Sequence, residues 1–294
     1  MAESDRLIEG FEENRTRLRA VAYRMLGSFA EADDAVQEAW LRLTKSDSRE
    51  VDNLGAWLTT IVARICLNVL RTRRTRREEP LEAQLPDPII SDGDRTSPED
   101  EALLADSVGL ALQVVLDTLT PAERLAFVLH DMFDLPFDDI APIVGRSSTS
   151  ARQLASRARR RVQGRAPVPD PDLGRQRQVV DAFFAAARDG DFDGLVAVLD
   201  PDVVLRADGG DAPTRPTVML RGARAVAENS SAARKLARFV RPALVNGAAG
   251  AVVPINGRLF AVLGFTVTDG RIVAIDILYD PQRLARLDLT PLDG

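Results

Sequence analysis

The sequence is short of the residues that most frameworks and most catalysts rely on. It has one cysteine, Cys66, and one histidine, His130, in 294 residues. A lone cysteine excludes a disulfide framework and points to a reducing, cytoplasmic location. A lone histidine removes the usual neutral-pH acid–base group from all but one place in the chain. No His, Cys, Asp or Glu spacing suits a metal ion, so no cofactor is expected. Long hydrophobic runs are missing too. The N-terminus lacks the apolar stretch of a signal peptide, and nothing approaches the roughly 18 apolar residues of a membrane span, so neither export nor membrane insertion is expected.

What the chain does have is segregated charge. The net charge is only -6, yet residues 64–77 hold six arginines and no acid, and residues 146–165 hold seven arginines and no acid. Between them, residues 78–106 carry ten acids and one arginine. Two separated cationic patches on an acidic protein imply two local contacts with a polyanion rather than a nonspecific coat.

The periodicity divides the chain into parts. Residues 8–45 read as two helices broken at Gly27-Ser28, and residues 53–77 as a third helix with Leu54, Trp57, Leu58, Ile61, Ile65 and Leu70 on its inner face. Together 8–77 form a first all-α module. Residues 78–106 are a linker rich in Pro, Asp, Ser and Gly. Residues 107–165 form a second helical module. In it Thr120-Pro121-Ala122-Glu123 reads as a capping box with proline at the first helical position, opening a helix over 121–132. A short helix at 137–144, a tight turn at Gly145-Arg146-Ser147 and a long helix from 148 make a helix-turn-helix pattern. Pro142 lies inside the shorter helix and is expected to delay or bend it. After a Pro-rich linker at 166–174, residues 175–294 alternate two helices, a strand at 203–208, a helix at 222–236, and four strands with Asn-Gly or Asp-Gly turns, an α+β domain.

In the long helix Ala151, Ala155, Ala158 and Val162 share the face that packs down. Ser150, Gln153, Ser156, Arg157 and Arg160 point outward, with Arg152 on the flank, side-chain types suited to base edges in a major groove. Arg146, Arg159 and Arg161 are placed for phosphates.

Three phrases in order, DDAVQEAWLRL, AWLTTIVAR and ARQLASRARR, carry a resemblance. Residues 15–77 resemble region 2, and residues 112–163 region 4, of the extracytoplasmic-function (group IV) RNA polymerase sigma factors. The whole chain resembles the SigJ-like subgroup, which adds a C-terminal SnoaL-like domain of the NTF2-like fold. The resemblance implies a multidomain protein: two all-α sigma modules, the second with a helix-turn-helix, and an α+β NTF2-like cone. It implies core RNA polymerase and promoter DNA as partners. Core polymerase would be bound through Asp33, Asp34, Gln37, Glu38, Trp40 and Leu41. The -10 element would be read through Leu54, Trp57, Thr60, Arg64, Arg71, Arg73 and Arg74, with Trp57 a stacking surface for a flipped base. The -35 element would be read through Arg146, Ser150, Arg152, Gln153, Ser156, Arg157, Arg160 and Arg161. The acidic linker would thread a basic channel of the polymerase.

For the C-terminal domain the resemblance implies control of the sigma modules from within the same chain. Three short motifs are matched in part: Gln84-Leu85-Pro86-Asp87-Pro88, Asp208-Gly209-Gly210-Asp211 and Asp280-Pro281-Gln282-Arg283-Leu284. The regulatory contacts expected from them are Leu85, Pro86, Pro88, Asp208, Gly209, Gly210, Asp280, Pro281, Arg283 and Leu284. The cone of such a domain can hold a small ligand. Asp208, Asp211, Asp276 and Tyr279 are the only candidates there for acid–base chemistry, and no catalytic set emerges. Two other readings stay open: a ligand-sensing helix-turn-helix regulator that acts without polymerase, and a SnoaL-like enzyme carrying a DNA-binding module.

Overall fold

The computed structural model describes residues 2–45, 53–76, 85–91, 110–165, 167, 169–210, 214–232 and 234–287. The chain divides into two compact units, one of Met1–Pro80 with Val115–Arg165, the other of Leu81–Val114 with Ala166–Gly294. Gln84, Asp211 and most of the acidic linker lie outside the described residues.

The first unit is all helix. Its first module holds α1 (Ala2–Leu26), α2 (Phe29–Lys45) and α3 (Leu54–Arg76). Gly27 ends α1 with φ 74°, and its N–H returns to the carbonyl of Tyr23 at 2.8 Å. Leu18, Val21, Ala22 and Met25 of α1 are wholly buried, as are Ala32, Ala39 and Leu43 of α2. The inner face of α3 is Leu58, Val62, Ile65, Cys66 and Leu70. Trp57 and Ile61, expected on that face, are only half-buried. The stripe is rotated because the helix meets α1, α2 and helices of the second module, rather than one partner. By length and composition α3 could cross a membrane over Leu54–Thr75, at mean hydropathy 1.3. That apolarity follows from packing against α1 and α2.

Helix α4 (Leu110–Asp117) is shared, Leu110–Val114 counting with the second unit, and the second module continues through α5 (Pro121–Phe127), a π-helical turn (Val128–Met132), α6 (Phe137–Val144) and α7 (Ser148–Arg165). The capping box forms: the Glu123 N–H donates to Thr120 Oγ1 at 3.3 Å, and the Thr120 N–H donates to Glu123 Oε2 at 3.1 Å. The helix expected over 121–132 instead widens into the π turn, closed by the Leu135 N–H on the Leu129 carbonyl at 2.8 Å. Pro142 sits within α6 on its exposed side, where water can satisfy the carbonyl that its missing N–H frees. Gly145, φ 69°, makes the tight turn into α7. Arg124 of α5 is buried, and its Nε and Nη2 donate to the carbonyl of Arg24 at 3.1 and 2.9 Å, while Nη1 pairs with Asp117. A buried guanidinium must spend its donors in this way, and here it ties α5 to α1.

The second unit is mixed α/β. It contains β1 (Ile90–Ser91), α8 (Leu173–Asp189), α9 (Phe192–Val198), β2 (Leu199–Asp208), β3 (Val218–Arg221), α10 (Ala223–Ala232), α11 (Arg234–Ala237), β4 (Arg241–Val245), β5 (Ala248–Ile255), β6 (Arg258–Thr268), β7 (Arg271–Leu278) and α12 (Pro281–Leu284). The seven-stranded sheet has the order β1-β4-β5-β6-β7-β2-β3. The three expected hairpin turns form, with φ of 52° and 76°, 52° and 73°, and 52° and 73° at Asn246-Gly247, Asn256-Gly257 and Asp269-Gly270. Strand β2 begins at Leu199, earlier than expected, and pairs parallel with β7. One face of the sheet packs on the helices through Val203, Leu205, Phe265 and Ile275. Phe183, Phe184 and Phe265 meet edge to face there, each pair at 5.5 Å. The other face carries Val245, Val252, Val262 and Leu278, packed with Ile90 and Leu284.

Candidate functional site

On α2 the 3.6-residue period sends Ala32, Ala35, Val36, Ala39 and Leu43 inward and leaves a polar face. Asp33, Asp34, Gln37 and Leu41 are exposed, and Glu38 and Trp40 are half-buried. Leu41 is one of the few large apolar side chains on the surface, 44% exposed. Arg19 pairs with Asp33 at 2.7 Å and Arg42 with Glu38 at 2.9 Å, while Asp34 has no ion pair among the described residues. Trp40 leans on Phe11, ring centroids 4.9 Å apart, which holds the indole at the edge of the face. The result is an apolar contact point flanked by carboxylates.

On α3, Trp57, Arg64 and Arg71 are seven residues apart and therefore lie on one side, with Thr60 and Arg74 a turn along. The three arginines are exposed. The Thr60 hydroxyl donates to the Ala56 carbonyl at 3.0 Å. Two residues grouped with these from the sequence are placed differently. Leu54 turns to α1, where a Cβ on Gly10 would come 2.8 Å from its Cδ2. Arg73 is a brace: it donates to the Leu26 carbonyl at 3.1 Å and pairs with Glu31, because its position on the helix faces the α1–α2 turn.

On α7, Ala151, Ala155 and Ala158 are wholly buried, and their small size lets the helix sit close on α5 and α6. Thr149, Arg152, Gln153, Ser156, Arg157 and Arg160 line one open groove. Five of these six are the residues expected to face DNA. Arg146 is exposed beside them, and Ser150 closes the N-terminal cap with Ser147, hydroxyl to hydroxyl at 3.0 Å. Three arginines have acidic partners: Arg161 with Glu123 at 3.1 Å, Arg157 with the same carboxylate at 3.9 Å, and Arg159 with Asp131. Glu123 was read from sequence as a cap only. Its carboxylate, almost fully buried, also pairs with two arginines of α7.

In the second unit all seven residues from Leu85 to Ser91 are buried. The reason is Arg283, on α12. Its Nε and Nη2 donate to Asp87 Oδ1 at 2.8 and 2.6 Å, Nη1 to Asp208 Oδ2 at 2.7 Å, and Nη2 to the Leu85 carbonyl at 2.7 Å. Asp208 also accepts from the Leu85 and Gly210 N–H groups at 2.8 and 3.0 Å. The segment then continues as β1 along β4, Ile90 opposite Val245, with the Asn246 side chain accepting from the Ile89 N–H at 3.1 Å. Gly210, φ 66°, lies against the carboxylate of Asp280, which itself caps α12 by accepting from the Gln282 N–H at 2.8 Å. Pro281 takes the first turn of that helix, and Leu284 is buried beside Ile90. Asp87 and Asn246, central to this contact, were not among the contacts expected from sequence, where they stood only in the linker phrase and in a hairpin turn. The only signal was an aspartate in the linker phrase whose charge opposes Arg283.

The acids considered for catalysis are committed elsewhere. Asp276 is held bidentately by Arg206, at 2.6 and 3.1 Å. It lies on the sheet face opposite Ile275 and Ile277, which join the helix-covered core. Asp208 is bound by Arg283. The Tyr279 phenol donates to the Pro216 carbonyl and is pushed above the usual tyrosine range, chiefly by burial and against the pull of Arg215. Asp208, Asp276 and Tyr279 are thus each held by a protein partner, and Asp211 lies outside the described residues.

The comparisons with known proteins divide along the same lines. The family model for sigma-70 region 2 matches residues 11–76, and that for sigma-70 region 4 matches residues 109–162. The chain is 37% identical over 297 residues to the ECF RNA polymerase sigma factor SigJ of Mycobacterium tuberculosis, covering 94% of this chain and 92% of that protein. The chain belongs to the ECF sigma factors. It is also 33% identical over 294 residues to the probable ECF sigma factor SigI of the same organism, covering 97% of both. The crystal structure of M. tuberculosis SigJ superposes with a TM-score of 0.76 at 35% identity, covering 96% of this chain and 100% of that one. This sigma factor therefore binds RNA polymerase and directs initiation at promoters, and the readings as a stand-alone regulator or an enzyme fall away. Most of the second unit lies outside the two matched regions.

Proposed function

We propose that the second unit regulates this sigma factor by gripping the segment that joins its two sigma regions. The observation that carries the reading is the Arg283 guanidinium, which holds Asp87, Asp208 and the Leu85 carbonyl at once. A tether between two DNA-reading modules governs how they can be placed. A domain that buries seven residues of it controls that freedom without a separate partner. The reading assigns the unit a contact with the linker segment, while Phe183, Phe184 and Phe265 pack within its helix-covered core.

Within the sigma regions, Asp33, Asp34, Gln37, Glu38, Trp40 and Leu41 are assigned to polymerase. Trp57, Thr60, Arg64, Arg71 and Arg74 are assigned to the -10 element, with Leu54 and Arg73 shaping that surface from behind. Arg152, Gln153, Ser156, Arg157 and Arg160 are assigned to the -35 element, with Arg146, Ser150 and Arg161 at its margins. Of the linker acids, Asp87 is engaged by Arg283, and the acids outside the described residues are assigned to the polymerase channel.

Reconstituted transcription with core polymerase tests the whole. Leu41→Glu should abolish co-elution with core without altering the fold, because the side chain is exposed. Arg283→Ala should change promoter output while leaving core binding intact. Output identical to wild type over the full salt range would reject regulation by the second unit.

A further inference from the structure

We propose that Phe137 is a positioning residue for promoter recognition, holding Arg152 so that its hydrogen-bonding edge faces the DNA. The proposal rests on the reading that Arg152 contacts base edges in the -35 element. Three of the arginines on this helix have carboxylate partners: Arg161 and, at 3.9 Å, Arg157 with Glu123, and Arg159 with Asp131. Arg152 has no ion pair among the described residues. Its guanidinium carbon lies 5.3 Å from the centroid of the Phe137 ring.

The difference in chemistry matters. A carboxylate holds a guanidinium by its N–H edge and uses up donors. An aromatic face holds it by its flat face and leaves the five N–H donors of the fork unspent. Base-edge recognition needs those donors aligned in a plane. An arginine held by a ring therefore keeps its reading capacity, whereas one held by an acid gives part of it up.

The ring itself is fixed from behind. Pro136 caps α6, so Phe137 is the first residue of the helix. The Phe137 ring lies against the His130 imidazole, with centroids 3.8 Å apart at 34°. His130 Nδ1 is 2.9 Å from the Leu135 carbonyl, and because a carbonyl only accepts, that nitrogen is the donor. His130 is placed by the π turn, in which one extra residue per turn carries the imidazole to the ring. The column Leu135 carbonyl, imidazole, phenyl ring, guanidinium thus runs from backbone to groove. It gives the chain's single histidine a role that needs no proton transfer.

The test uses full-length protein in holoenzyme and a promoter set with each base pair of the -35 element substituted in turn. Phe137→Leu and Phe137→Met keep apolar volume and remove the π face; Phe137→Tyr keeps the face. Arg152→Ala should relax discrimination at one base pair by about tenfold or more. Phe137→Leu and Phe137→Met should relax the same pair by about threefold, in keeping with an exposed cation–π contact, and leave the other pairs unchanged. Phe137→Tyr should behave as wild type, and Phe137→Leu should add nothing in an Arg152→Ala background. An equal loss of affinity on every promoter, or a further loss in the double variant, overturns the positioning role. If Arg152→Ala relaxes one pair and both Phe137 variants discriminate like wild type, the positioning role alone fails. If Arg152→Ala changes no pair, the assignment of Arg152 to base edges fails and takes the proposal with it.

Discussion

Arg283→Ala is the most demanding perturbation of the linker contact. The wild-type side chain makes four hydrogen bonds of 2.6 to 2.8 Å, to two carboxylates and one carbonyl. The side chains of Asp87 and Asp208 are 11% and 4% exposed, so truncating the arginine strands two carboxylates away from water. Removing one partner of a buried ion pair costs about 3–5 kcal/mol. Asp208 keeps its two backbone N–H donors, which favours the lower end. A cost of about 3 kcal/mol corresponds to a roughly hundredfold weaker docking of Leu85–Ser91. Native-state hydrogen exchange measures this directly, because the amides of Leu85, Ile89 and Asn246 are hydrogen-bonded only while the segment is docked. Their protection should fall by about that factor, while amides in the middle of β6 and β7 hold theirs. Arg283→Lys should fall between, since an ammonium cannot span three acceptors with a planar fork. Unchanged protection at Leu85 and Ile89 would refute the reasoning, and so would an equal loss across the sheet.

Other expectations follow from single sites. Burial pushes the Cys66 thiol up to about 12, against the lowering influence of Arg124. Its neutral form is the one the fold favours, so the stabilisation is complete below about pH 9 and is lost as pH rises from there through 12. At pH 8 a thiol reagent should therefore label native protein only as fast as it opens, and rapid stoichiometric labelling would contradict the burial. Glu123→Ala removes half of the capping box and frees Arg157 and Arg161. Denaturant melts should show a loss of about 1–2 kcal/mol, with an altered salt dependence of promoter binding. Gly250→Ala should destabilise the second unit by about 1–3 kcal/mol at unchanged m-value, because its Cβ would come 2.5 Å from Val245 Cγ2 and 2.7 Å from the Leu263 carbonyl.

Much of this protein is local and therefore legible in its sequence. The alanine face of α7 with arginine opposite, the Thr120–Glu123 box and the three Asn-Gly or Asp-Gly hairpins depend on contacts only a few residues apart. Periodicity and turn chemistry report such contacts directly. The two basic patches and the acidic face of α2 were legible for the same reason, since a helix sorts its residues by spacing alone.

Tertiary structure decided what depends on distant partners. Arg73 and Arg74 are neighbours in a basic run, yet one braces Glu31 and the other faces solvent, because only packing tells a helix which side is covered. Asp276 met Arg206 only when β2 lay parallel to β7, and Asp87 met Arg283 across 196 residues. The aromatic column behind Arg152 needed the π turn, which no propensity marks. Short-range order follows from spacing along the chain, whereas the partner of a buried charge is set by a register between elements that spacing does not encode.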